Sequence, residues 1–172
     1  MPNPTSTNTT PVKKGKKPKR PPTMIGWRER IALPELGLDL VEAKIDTGAR
    51  TTALHASHIR TFEKDGTPWV SFHPEHDRLD TDSIVQMPVH DRRAITNTSG
   101  VPDERIIIRT TLQIAGLALT VDVSLADRAD MAFPIIIGRS ALKRGRLIVD
   151  SGKSWLTTPM KGDSDENRNA RT

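Results

Sequence analysis

The chain has 172 residues, 35% of them apolar, and a formal net charge of +5, a size that suits one folded domain with tails. It contains no cysteine, which excludes disulfides, thiolate metal sites, iron–sulfur clusters and a cysteine nucleophile. No apolar run approaches the roughly 18–20 residues that a membrane-spanning helix needs, and the first residues lack a signal-like apolar stretch, so a cytoplasmic protein without a membrane partner is expected.

Residues 1–23 carry Lys13, Lys14, Lys16, Lys17, Lys19 and Arg20 with no acid, a charge of +6. The span 24–160 holds 17 Lys and Arg against 18 Asp and Glu, and the three bases and three acids of 161–172 cancel. The high isoelectric point therefore belongs to a tail. Six prolines among Ser, Thr and Asn leave that tail too little apolar surface to fold. The expected organisation is a disordered basic tail over 1–23, one domain over 24–160 and a disordered polar tail over 161–172. Such a basic tail is a candidate for accessory contact with RNA, ribosome or anionic lipid; a solubilising tail is the plainer reading.

Along the domain, strand character recurs at 24–33, 38–45, 69–72, 105–114, 117–125, 135–137 and 147–149, with 154–157 behind them. Turn signals separate these runs, among them Asp65-Gly66, Ala115-Gly116 and Ser151-Gly152. Leu117, Leu119, Val121, Val123 and Leu125 alternate cleanly onto one face. Only 140–144 invites a helix, a short one. The predicted class is mainly β: a small closed barrel with one short C-terminal helix. Residues 73–104 have the poorest periodicity and read as a long hairpin or loop excursion. Trp27, Trp69 and Trp155 are too scattered for a base-stacking platform and are expected to pack.

Two stretches point to chemistry. The strand 41–45 runs straight into Asp46-Thr47-Gly48-Ala49. A strand end delivers a carboxylate to a rigid position, Thr can lock the turn, and Gly lets backbone pass close by. Alone, this tripeptide is also an ordinary turn. Far downstream, the aliphatic strand Ile135-Ile136-Ile137 runs into Gly138-Arg139 and a helical turn.

With both motifs in place, the chain resembles the retropepsin-like aspartic peptidases. It is most similar to the bacterial family that carries the label ATP-dependent zinc protease and is associated with glutamate-adding ligases of the ribosomal-S6 type. Ile25-Gly26-Trp27-Arg28-Glu29, the run from Lys44 to Ala56, and Arg109-Thr110-Thr111-Leu112 carry that likeness. The resemblance implies an acid-protease barrel and an endopeptidase working as a homodimer, since the chain has a single Asp-Thr-Gly. Asp46 would be catalytic, once in each subunit. Thr47 would bond across the axis, Gly48 would meet substrate backbone, and Thr47, Gly48 and Ala49 together would shape the turn. Gly138 and Arg139 would brace the site. A flap is implied before Arg105, with Ser99 and Gly100 at its tip. The implied partners are a peptide or protein substrate, a second copy, and an ATP-grasp peptide ligase.

Viral relatives place an Asp after this turn to pair with the corner Arg, whereas this chain has Arg50. A buried Arg139 would then need another carboxylate, with Asp127, Asp130 and Glu104 as candidates. No metal and no other cofactor is expected. The pairs His55/His58 and His73/His76 offer zinc-like ligands beside Glu75, but there is no His-Glu-x-x-His helix, and no phosphate-binding glycine loop supports ATP. The competing readings are a zinc peptidase and a non-catalytic peptide-binding module that docks through its basic tail.

Overall fold

The structure, a computed structural model, describes residues 19–79, 81–96 and 100–157. Most of both expected tails therefore lies outside the described residues. The elements run β1 (Thr23–Leu33), a 3-10 turn (Pro34–Leu36), β2 (Leu38–Ile45), β3 (Thr52–Lys64), β4 (Thr67–Pro74) and β5 (Val85–Pro88). They continue with β6 (Asp91–Thr96), β7 (Pro102–Ile114), β8 (Leu117–Ala126), β9 (Ile135–Ile137), α1 (Arg139–Gly145) and β10 (Leu147–Ser154). No helix among the described residues is long and apolar enough to cross a membrane.

The sheet runs β10-β1-β2-β9-β3-β8-β7-β6, and β1 also pairs with β7. That extra pairing closes β1, β2, β9, β3, β8 and β7 into a six-stranded barrel, the mainly β architecture expected. Its interior is aliphatic: Ile25, Leu33, Leu54, Ile108, Leu112 and Ile135 are fully buried, and burial of this kind supplies most of the folding drive. Two hairpins turn through Asp65-Gly66 and Ala115-Gly116, with all four central residues at positive φ, the geometry that matches the twist of the flanking strands. The tryptophans pack: Trp27 meets Phe133 edge-on at 6.2 Å, Trp155 lies under Arg28 and Arg30, and Trp69 leans on Phe62.

Two arms leave the barrel. One is the far half of β3 with β4 and β5, the other the β6–β7 hairpin. The sequence reading did not pick out β3. Its barrel face is carried by Thr52, Leu54 and Ala56, while His55, Ser57, His58 and Arg60 interrupt the apolar residues, so apolar alternation is weak. The supposed excursion over 73–104 contains β5, β6 and the start of β7. The last strand reaches Ser154, and residues 155–157 leave it as a bend rather than forming a separate strand.

β1 also carries a buried carboxylate, opposite Ala43 of β2. Glu29 is fully buried and accepts N–H bonds from Gly26 (2.6 Å), Leu156 (3.0 Å) and Thr157 (3.3 Å), and the Thr157 hydroxyl at 3.0 Å. Four donors fill its acceptor sites, which makes a buried carboxylate tolerable. Glu29 thereby ties the residues that follow β10 onto β1.

Candidate active site

β2 and β3 are joined by residues 46–51, yet they do not pair with each other at this end. β9 lies between them, parallel to β2 (Ala43↔Ile135, Ile45↔Ile137) and antiparallel to β3 (Leu54↔Ile135). The connection therefore arches over the end of β9. Asp46 N–H donates to the Ile137 carbonyl at 3.0 Å, Arg139 N–H to Ala49 at 2.8 Å and Ser140 N–H to Arg50 at 3.1 Å. Gly138 N–H reaches the Thr52 hydroxyl at 3.3 Å. These bonds seat the turn on the strand-to-helix corner.

Gly138 is required by this contact. A Cβ there would lie 2.7 Å from both the carbonyl carbon and the oxygen of Thr51, closer than any side chain can sit. Arg139 braces from the other side: its Nη1 donates to the carbonyls of Thr47 (3.0 Å) and Gly48 (3.1 Å). The expected buried charge with a carboxylate partner is corrected here. Arg139 is exposed and binds backbone carbonyls, so no unpaired buried cation arises. Of the three candidate carboxylates, Glu104 pairs with Arg92 and Asp130 with Arg128, and Asp127 is exposed in the loop after β8.

The carboxylate of Asp46 is held asymmetrically. Oδ1 accepts N–H bonds from Gly48 (2.9 Å) and Ala49 (3.2 Å), so the turn fixes its own acid. Oδ2 faces outward, with Lys44 Nζ at 3.9 Å. Thr47 is exposed beside Arg139. Both border an open, mainly apolar groove of about 500 Å³ that includes Pro22, Leu147 and Ile148.

Asp46 opens onto a cleft of about 530 Å³ whose lining includes Arg50, Arg93, Arg105 and Arg128. Four arginines and one carboxylate thus share the lining of this cleft. Arg93 and Arg105 sit directly opposite each other on β6 and β7, a like-charge pairing that destabilises a bare hairpin. Neighbouring acids offset it. Arg93 Nε bonds Asp91 at 2.8 Å and its Nη2 bonds Asp122 at 3.1 Å, while Arg105 Nε bonds Asp103 at 2.7 Å. Arg93 chiefly holds the Asp91 carboxyl below its usual range, and Arg109 and Arg93 do the same for Asp122. Arg50 has no side-chain partner among the described residues. Sequence reasoning missed Arg93, Arg105 and Arg128. Their only signal was a pair of arginines falling in register across a hairpin that periodicity did not reveal. Gly100 lies in the β6–β7 connection with φ 76; Ser99 lies outside the described residues.

The histidine pairs do not form as the sequence suggested. His55 is buried, with Nδ1 3.0 Å from the Arg128 amide and 3.1 Å from the Ala126 carbonyl. His76 donates from Nε2 to the Met131 carbonyl at 2.9 Å and accepts the Arg78 amide at Nδ1. Each closes a loop. Around Asp46 the donor set is a single carboxylate among arginines, which does not fit a catalytic zinc ion.

A carboxylate fixed by its own turn, seated on a Gly-Arg corner at the end of a closed barrel, defines an acid-protease-like subunit. The chain belongs to the RimB-like family, described as retropepsin-like aspartic endopeptidase RimB, whose model matches residues 24–159. Among curated relatives, a protein of Desulfotalea psychrophila named "Probable alpha-L-glutamate ligase" is 40% identical over 129 residues, 74% of this chain and 28% of that protein. One of Shewanella pealeana with the same name is 35% identical over 142 residues, 81% of this chain and 31% of that protein. The chain thus spans about three tenths of these relatives. The crystal structure of a Legionella pneumophila protein of unknown function superposes with a TM-score of 0.65 at 24% identity, covering 78% of this chain and 98% of that one; this likeness concerns the fold.

Proposed function

We propose that the chain is an aspartic endopeptidase, active as a homodimer, that cleaves acidic, glutamate-rich peptides. The observation that carries the reading is Asp46, with one oxygen tied by two amides and the other left open toward a cleft lined by four arginines. With one Asp-Thr-Gly per chain, two copies meeting at their turns supply two carboxylates. Held close, these cannot both ionise and share one proton. The ionised carboxylate takes a proton from a bridging water as its oxygen bonds to the peptide carbonyl carbon. The protonated one donates to the carbonyl oxygen. Collapse of the tetrahedral intermediate breaks the C–N bond and returns a proton to the leaving nitrogen.

The dimer face follows from the same end of the barrel. β10 is a sheet edge, Ile148 and Met24 are about half exposed, and the apolar groove beside Thr47 and Arg139 adjoins them. An unpaired apolar edge is suited to a second copy. The β6–β7 hairpin, with Arg93 and Arg105 over the cleft, acts as the flap that closes on substrate. Guanidinium groups recognise carboxylates by paired, charge-assisted bonds, so side-chain carboxylates spaced along a peptide suit this cleft. The names of the relatives agree: a region like this one lies within proteins named as glutamate ligases. The reading places the chain in the cytoplasm as the hydrolytic counterpart of an ATP-grasp ligase.

The test is cleavage of an oligoglutamate peptide and a neutral peptide of equal length, followed by mass spectrometry, with and without chelator, alongside sedimentation at several protein concentrations. Wild type should cut the acidic peptide irrespective of chelator, as a dimer. Cleavage that survives Asp46→Asn but stops with chelator would overturn the aspartic mechanism. A strictly monomeric active species would overturn the shared dyad.

A further inference from the structure

The β3–β4 arm carries a group of side chains that the cleft does not use. The two strands pair from Lys64↔Thr67 back to Ala56↔Pro74, but the register slips between Ser57 and Arg60. His58, inside that bulge, has φ 51. Successive residues of a regular strand point to opposite faces, and a bulge breaks that rule. Here it brings His58 Nδ1 to 3.0 Å from Ser57 Oγ, and Ser57 stands opposite His73. Glu75 follows His73 by two residues. His58, His73 and Glu75 each offer a ligand atom, and these atoms all lie within 4.8 Å of one another.

We propose that His58, His73 and Glu75 form a binding site for a zinc-class divalent cation, separate from the Asp46 cleft, that clips β3 to the end of β4. A hydrogen bond beside the group already selects the right tautomer of His73. His73 Nε2 lies 3.3 Å from the Thr81 carbonyl; a carbonyl only accepts, so Nε2 carries the proton and Nδ1 keeps its lone pair. The Ser57 hydroxyl oxygen, 3.0 Å from His58 Nδ1, takes that nitrogen's proton in the tautomer that leaves His58 Nε2 as a ligand. Such outer partners orient metal ligands. Two imidazole nitrogens and one carboxylate form a borderline donor set that suits zinc over calcium or magnesium. Ligands at about 2.0–2.1 Å in a tetrahedron sit about 3.3 Å apart. Closing from 4.8 Å asks only for side-chain rotation at exposed His58 and Glu75. His55 and His76 cannot join, since backbone groups hold them.

The test uses tag-free, full-length protein stripped with chelator, then titrated by calorimetry with Zn²⁺, with Mg²⁺ as control and Co²⁺ as a spectroscopic probe. One Zn²⁺ per chain is expected, with a melting midpoint raised by about 5 °C at saturation and a visible Co²⁺ band of four-coordinate type. His73→Ala and Glu75→Gln should each weaken binding at least about tenfold with an unchanged far-ultraviolet spectrum. His58→Asn keeps a residue tolerant of positive φ and should weaken it similarly, while His90→Gln should not. Absence of saturable Zn²⁺ binding to wild type, or equal affinity in the His58→Asn/His73→Ala double variant, overturns the site.

Discussion

Two carboxylates rise on neighbouring strands of the same barrel, and their surroundings give them opposite characters. Glu29 on β1 is fully buried, and four donors occupy its two oxygens. Asp46 at the end of β2 has one oxygen fixed by its own turn and the other left open to a cleft. A fully satisfied carboxylate holds structure together; a half-satisfied one, fixed by its turn, keeps an oxygen for a further partner, which the proposed reading takes to be the bridging water. The difference lies in which donors the fold supplies, since the chemical group is the same.

The largest effect is expected at Asp46. Asp46→Asn should reduce peptide cleavage by at least about a thousandfold while urea unfolding shifts by less than about 1 kcal/mol. Glu29→Ala should do the reverse, costing about 2–4 kcal/mol of stability because four donors lose their acceptor. Its residual folded fraction should keep the wild-type cleavage rate per folded dimer. If Asp46→Asn unfolded the protein instead, the division between the two acids would be wrong.

Smaller changes sharpen the contrast from the cleft side. Arg93→Gln should raise KM for the acidic peptide about tenfold, the loss of roughly one charge-assisted hydrogen bond, and leave the neutral peptide unaffected. Steady-state kinetics on both peptides separates recognition from catalysis. The acids that hold these arginines set a pH dependence. The carboxyls of Asp91 and Asp122 lie below their usual range when folded. Groups lowered in this way add stability above the unfolded value near 3.9 and lose it as pH falls through the folded value. The melting difference between wild type and Asp122→Asn should therefore shrink below about pH 4. Lys44→Ala should change cleavage by less than about twofold, because the exposed 3.9 Å pair with Asp46 is weak.

The barrel strands were legible because their chemistry is local. β9 is an unbroken apolar run, β2 brings Leu38, Val41, Ala43 and Ile45 to the core, and Ala115-Gly116 announces its hairpin. β3 was not legible. Its first turns are buried by β8 and β9, partners far away in sequence, so its own residues need not look like a strand. In the site, Asp46 and the Gly138-Arg139 corner could be read as motifs because each is contiguous. The cleft arginines could not, since Arg93, Arg105 and Arg128 converge only after the β6–β7 arm folds back. Arg139 was read as needing a carboxylate, whereas two backbone carbonyls answered its charge, a partner type that no side-chain pattern reveals.

The clasp at Glu29 also sets a timetable. β1 pairs with β2 within a short stretch of chain, but its other flank waits for β10, and Glu29 waits for residues 127 and 128 positions further on. During synthesis β1 emerges well before β10, with one edge bare and a carboxylate whose acceptors are still open to water. Pairings this distant in sequence form slowly, and uncovered strand edges invite wrong partners. The first strand of the barrel is completed only by the residues after its last, so a chain cut before Leu156 should melt at a lower temperature than one that includes Thr157, as circular dichroism would show.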